Sequence, residues 1–208
     1  MTVRHFGSTS GYTELGAPAV AGNNSLKLPT GNGSAGQSML TDGSGNLSFG
    51  SSIVSGTSQA STSGTSIDFT GIPSWAKRVT VMFSGVSLNG ASHLLIQIGS
   101  TSFTTSGYLS YSVYAGASNQ AGTVSASTGF IIFAGTASNV AYGALALFNI
   151  SGNNWVSNHS LGMFQTPTVY ALNGGGSGSL SGTLDRVRIT TVNGTDTFDA
   201  GTINLLWE

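Results

Sequence analysis

The chain of 208 residues has no cysteine. That removes disulfides and thiolate metal sites from consideration, and it suits a protein made in a reducing cytosol that must survive outside it. Charge is scarce too: six basic and seven acidic residues leave a net charge of −1. Without a basic stripe there is no electrostatic footprint for nucleic acid or an anionic membrane. No apolar run approaches the roughly 18 residues a membrane helix needs. The opening Met1–Gly7 lacks the long apolar stretch of a signal peptide. The expectation is a soluble protein with no membrane insertion and no nucleic-acid partner, released, if at all, by cell lysis. Sustained helical periodicity with caps is also missing, which argues against a helical fold.

What the chain does have is small polar residues. Gly, Ser and Thr make up 88 of the 208 positions. Such a composition can signal disorder, but 39% of the residues are hydrophobic and 19 are aromatic, enough to bury a core. The length suits one domain of about 150 residues plus an arm.

Residues 25–50 are the most informative stretch. Three short apolar pieces, Leu26/Leu28, Met39/Leu40 and Leu47/Phe49, are separated by Gly-rich turns at 31–36 and 42–46. Each is too short to stand alone, since even an isolated hairpin is marginal in water. The run Leu-Pro-Thr-Gly-Asn-Gly-Ser-Ala-Gly-Gln-Ser-Met-Leu-Thr-Asp-Gly-Ser-Gly-Asn-Leu-Ser-Phe at Leu28–Phe49 resembles a segment common in tail fibres and other fibrous virion proteins of tailed bacteriophages. There the pattern builds trimeric β-rich stalks. A second resemblance covers Phe69–Gly107 and the ending Phe198–Glu208, which look like a β domain at the distal end of phage structural proteins. The resemblance implies a homotrimer in which three arms bury Leu26, Leu28, Met39, Leu40, Leu47 and Phe49 against one another. Closing strands across three chains would also remove exposed sheet edges.

Residues 1–50 are thus expected to form an extended arm for virion attachment and trimerisation. Residues 51–66 are dominated by Ser, Thr and Gly and read as a linker with room for a short strand at Ile53–Val54. Residues 67–208 read as a head. Val79, Val81 and Phe83 alternate with polar neighbours, and Leu88-Asn89-Gly90 supplies hairpin-turn chemistry before Leu94, Ile96 and Ile98. Further strands are expected at 103–105, 108–114, 130–133, 142–150, 155–164, 169–172, 186–192 and 203–207. Gly-rich connectors would lie at Ser151–Asn154, Asn173–Gly178 and Asn193–Gly194. The fold class is therefore all-β: an extended β-rich arm or stalk followed by a jelly-roll-like antiparallel β-sandwich.

Catalytic chemistry finds little support. Asp42 belongs to a turn, and Asp185 beside Arg186 reads as a surface ion pair. Asp196 and Asp199 lie close together, as a carboxylate pair or calcium loop would require, but two carboxylates fall short of the 6–8 oxygens calcium takes. We read them as turn residues. His5, His93 and His159 are scattered, with no His-x-His and no nucleophile elbow. No catalytic residue, metal or cofactor is expected.

Binding is better supported. Asn154, Trp155 and Asn158 combine an indole with amides, a mixture that suits sugar recognition. Tyr108 and Tyr111 add aromatic surface on opposite faces of one strand, Tyr114 sharing the face of Tyr108. Trp75 is expected to wedge a loop against the core, and Trp207 to pack with the last strand. The expected function is a short trimeric tail fibre, with heads on a host cell-surface glycan or protein and arms on other phage virion proteins. The alternative is a capsid decoration (cement) or head-fibre protein. The location is the virion in either case, at the tail or on the capsid surface.

Overall fold

The computed structural model describes residues 3–6, 8–20, 22–35, 37–116, 120–165 and 168–208. Among these residues there are strands and connections and no helix, and every strand pairing is antiparallel. The chain divides into two compact units, Met1–Ser52 and Ile53–Glu208.

The first unit holds two hairpins, β1 (Val3–Phe6) with β2 (Tyr12–Leu15) and β3 (Ser38–Thr41) with β4 (Leu47–Gly50). The turn between β3 and β4 is built on Asp42. Its Oδ1 accepts the backbone N–H groups of Ser44 (2.8 Å) and Asn46 (3.1 Å), and its Oδ2 accepts the Asn46 amide. These bonds hold the Asp42 carboxyl below its ordinary pKa, with the Asn46 side chain as the largest cause. Gly43 and Gly45 take the positive φ that so tight a turn demands. Asp42 thus plays the turn role read from the sequence.

The second unit holds fourteen strands: β5 (Val54–Ser55), β6 (Gln59–Ala60), β7 (Ser66–Thr70), β8 (Arg78–Leu88), β9 (Leu94–Ser100), β10 (Ser102–Phe103), β11 (Leu109–Gly116), β12 (Ala121–Ala126), β13 (Phe130–Ile132), β14 (Val140–Ser151), β15 (Asn154–Gln165), β16 (Thr168–Ser179), β17 (Arg186–Thr191) and β18 (Phe198–Trp207). A five-stranded sheet runs β10-β9-β17-β7, with β13 also on β9. A nine-stranded sheet runs β12-β11-β16-β15-β14-β8-β18-β5, with β6 also on β18. One hydrophobic core draws from both. Val79 and Val81 of β8, Leu145 and Leu147 of β14 and Leu205 of β18 meet Ile67 and Phe69 of β7, Ile96 and Ile98 of β9 and Ile189 of β17. Burying each such side chain is worth about 1.5–3 kcal/mol. The arrangement is sandwich-like.

Several sequence expectations change here. The stretch 51–66 is not a linker. Its strands β5 and β6 hydrogen-bond to β18, and Ser61 is fully buried with its hydroxyl donating to the Ala200 carbonyl (2.8 Å). Leu88-Asn89-Gly90 does not close a hairpin, because β8 lies in the large sheet and β9 in the small one. Asn89 instead binds across to Thr197, donating its N–H to the Thr197 carbonyl (2.9 Å) and accepting the Thr197 N–H on its side chain (2.8 Å). Trp75 is half exposed rather than wedged into the core. Trp207 packs against the core as expected.

The largest change is at Asn173–Gly178, read as a loop and found inside the twelve-residue strand β16. The reason is steric. On the core side, Ser112 of β11, Gly174 of β16 and His159 of β15 are cross-strand neighbours, and the two flanking side chains meet over the glycine. A Cβ on Gly174 would overlap the His159 ring, and one on Gly178 would lie 2.9 Å from the Tyr108 ring. Glycine is there because larger neighbours occupy its space.

Candidate functional site

In the first unit, the residues expected to pack between chains remain uncovered by their own unit. Leu26 is 68% exposed, Leu28 76%, Met39 54% and Leu40 37%, while Leu47 and Phe49 are half-buried. Lys27 fixes this stretch against the β3–β4 turn, its N–H donating to the Gly45 carbonyl (2.8 Å) and its carbonyl accepting the Leu47 N–H (2.9 Å). A concavity of about 520 Å³ opens beside it, lined by Leu28, Pro29, Gly33, Gln37, Leu47 and Phe49.

In the second unit, strand phase divides the five proposed binding residues. On β15 the odd positions face the core, so Trp155 is 3% exposed and cannot offer an indole face to a ligand. Tyr108 is 2% exposed, its ring edge-on to Phe130 at 5.0 Å. Its hydroxyl accepts the Ile98 N–H (3.0 Å) and donates to the Thr104 carbonyl (3.0 Å). Burial pushes the Tyr108 pKa up to about 12, against the opposing effect of the Ile98 bond. Trp155 and Tyr108 are core residues, and the sequence reading of them as surface is corrected.

Asn154, Asn158 and Tyr111 do face outward. Asn154 lies at the strand end, where its Oδ1 accepts the Ser179 hydroxyl at 2.6 Å. Asn158 and Tyr111 lie mid-sheet, on the outer face of the large sheet. There the registers of β11, β16, β15 and β14 align Tyr111, Gly175, Asn158 and Ala146 in one row. Val113, Asn173, Ser160 and Ala144 form the next. A concavity of about 510 Å³ opens over these rows. Asn173 and Ser160 were missed at the sequence level. Continuing the alternation of β16 past buried Leu172 would have found Asn173, because the next residue must point outward.

Polar groups also line the core. Ser112 Oγ and His159 Nε2 are 2.9 Å apart, and the same Oγ accepts the Phe133 N–H (3.3 Å). Such a Ser–His distance suits a nucleophile and its base. Yet Ser112 is fully buried and His159 is 5% exposed, so the pair has no opening to a substrate. Burial pushes the His159 pKa down to about 4. His93 is shifted the same way by burial, and its Nδ1 accepts the Ala134 N–H (3.2 Å).

The acidic residues are engaged individually. Asp185 pairs with Arg186 at 2.7 Å, which holds its carboxyl below the ordinary range, and Asp68 takes both ends of the Arg188 guanidinium at 2.7 Å. Asp196 accepts the Ser92 N–H (2.8 Å) and the Asn193 amide (2.7 Å), whereas Asp199 accepts the Ser87 hydroxyl. The two do not converge on a shared site, and no group of three metal-ligating side chains occurs among the described residues. Set against models of known families, curated proteins and solved structures, the chain matches none.

Proposed function

We propose that this chain is a virion structural protein of a tailed bacteriophage. It would act as a short trimeric tail fibre whose jelly-roll-like heads bind the host cell surface, glycan foremost, and whose arms attach to other virion proteins. One observation carries the reading: Leu28 and Met39 of the phage-like segment, and Leu26 just before it, are more than half exposed within their own unit. A single chain leaves them in water, and two further copies would shelter them. The jelly-roll-like description rests on the path of the head, which passes between the two sheets at most connections from β7 to β18. Three heads on one trimer would add avidity to a weak single site. The second reading, a capsid decoration or head-fibre protein, rests on the same division into two units, because an arm and a head suit either task.

Light scattering on the full chain tests the assembly. A mass of about 63 kDa, three times the 21.0 kDa of one chain, is expected, and 21 kDa would refute the trimer. Leu28→Asp should leave each chain folded, since that side chain touches little of its own unit, and should release monomers. Antibody raised against the chain should label phage particles in electron micrographs. Label at the tail favours the fibre, label on the head favours decoration, and unlabelled particles reject both.

A further inference from the structure

The concavity on the outer face of the large sheet has the chemistry of a particular ligand class. Asparagine is disfavoured in strands. Two of them, Asn158 and Asn173, nonetheless sit diagonally on adjoining strands in mid-sheet. Other strand asparagines of this unit are used internally: Asn149 bonds the Gly152 carbonyl, Asn154 the Ser179 hydroxyl and Asn204 the Ser55 hydroxyl. The Asn158 and Asn173 amides have no hydrogen-bond partner among the described residues, nor do the Ser160 and Tyr111 hydroxyls. Four polar groups therefore converge on one hollow without serving the fold.

The walls define what could lie between them. Neighbouring strands are about 4.8 Å apart, so Tyr111 and Asn158 stand about 10 Å apart across Gly175. Gly175 raises no side chain between them, and Ala146 and Ala144 keep the far side low. The hollow of about 510 Å³ is in the range of small-ligand sites. No charged side chain lines it, which leaves an anionic or cationic ligand unpaired. An amide both donates and accepts, as a sugar hydroxyl does, and an aromatic face suits the C–H groups of a pyranose.

We infer that this groove binds a neutral saccharide. One pyranose ring lies in it, its C–H face against Tyr111 and its hydroxyls on the Asn158 and Asn173 amides. The inference rests on the reading of the head as the part that meets a cell-surface glycan, and it gives that contact a place and a charge class.

Saturation-transfer-difference NMR on the full chain tests it, with the methyl glycosides of glucose, galactose, mannose and N-acetylglucosamine as neutral probes and glucuronate as the anionic one. Millimolar affinity is enough for this readout. At least one neutral glycoside should give signal, and glucuronate none. Asn158→Ala combined with Asn173→Ala, and separately Tyr111→Ala, should cut that signal at least tenfold. Asn154→Ala, outside the groove, should retain it. All four side chains are exposed, so unchanged thermal unfolding serves as the control for folding. Silence from every neutral glycoside, a signal indifferent to the double substitution, or preference for glucuronate would each overturn the inference. So would a change of mass by light scattering in the double variant without any glycoside signal, because the face would then join copies of the chain. Saccharide binding by a protein whose antibody labels no phage particle would sink the fibre reading and leave the site standing. Labelled tails with silent glycosides would do the reverse.

Discussion

Acid should weaken the head through His159, and the size of the effect follows from where the ring sits. The imidazole is buried between the sheets, 5% exposed, with Nε2 2.9 Å from Ser112 Oγ. That Oγ also accepts the Phe133 N–H, and the buried ring is neutral. Protonation would place a charge where no carboxylate faces it. Burial accordingly lowers the pKa from 6.5 to about 4. In the unfolded chain the same side chain titrates near 6.5. Above that value neither state binds the proton and stability is at its full value. Below it the unfolded state takes up a proton that the folded state refuses, so stability falls until the pH reaches about 4. A difference of about 2.5 units corresponds to about 3 kcal/mol, a large share of a small domain's stability.

Denaturant unfolding of the full chain between pH 8 and pH 4 measures this, in the native protein and in His159→Gln. The native protein should lose about 3 kcal/mol more than the variant over that range. His93 and the carboxylates titrate in both proteins, so the difference of slopes isolates His159. Parallel profiles for the two would refute the reasoning, as would an NMR titration placing the His159 ring near its ordinary value.

Three further substitutions probe the same core, and a fourth at a hairpin tip serves as their comparison. Gly174→Ala should cost at least about 2 kcal/mol, because the new methyl would overlap the Tyr111 carbonyl oxygen and the His159 ring. Gly152→Ala, at a hairpin tip with positive φ and open space, should cost only about 1 kcal/mol in the same thermal melts, and equal costs would count against the steric account. Tyr108→Phe should cost about 1–3 kcal/mol by equilibrium unfolding, since it strips the acceptor from the Ile98 N–H; a neutral result would mean that bond is dispensable. Ser157→Ala should raise stability by about 1 kcal/mol, because the Ser157 hydroxyl is buried with no partner, and a loss would reveal one.

The parts of this fold that were legible in the sequence are those that local pattern dictates. The β14–β15 hairpin was readable because both arms alternate and Ser151–Asn154 provides turn chemistry between them. The Asp42 turn was readable for the same reason. Turn chemistry does not say which sheet the returning strand joins, however, and so Leu88-Asn89-Gly90 passed for a hairpin. Strand β15 was found, but its phase was ambiguous: Trp155, Ser157 and His159 share one face, Val156, Asn158 and Ser160 the other, and both mix polar with apolar. The indole lies inward and its Nε1 goes without a partner, an outcome that alternation alone does not favour. Glycines carry no side-chain period at all. The strand character of Asn173–Gly178 depends on His159 and Tyr108, residues distant in sequence, and Asn173 of the candidate site was hidden with it.

A strand with polar residues on both faces is weakly held in register by its hydrophobic pattern, and a slip by one residue would exchange its faces. On β15 and β16 the glycines take over that task. The Ser112 and His159 side chains can meet only over a position without a Cβ, and Tyr108 needs another at Gly178. Shift β16 by one residue toward its C-terminus and Asn173 comes to lie beneath the imidazole; shift it the other way and Gly175 still fits there, but Ser179 replaces Gly178 beneath the Tyr108 ring. Either shift would carry Asn173 to the core side and dissolve the outer row it shares with Ser160. The buried Ser112–His159 contact and the Tyr108 ring therefore do more than fill space: together they choose the register, and so they set the spacing of Asn158 and Asn173 on the opposite face of the same two strands.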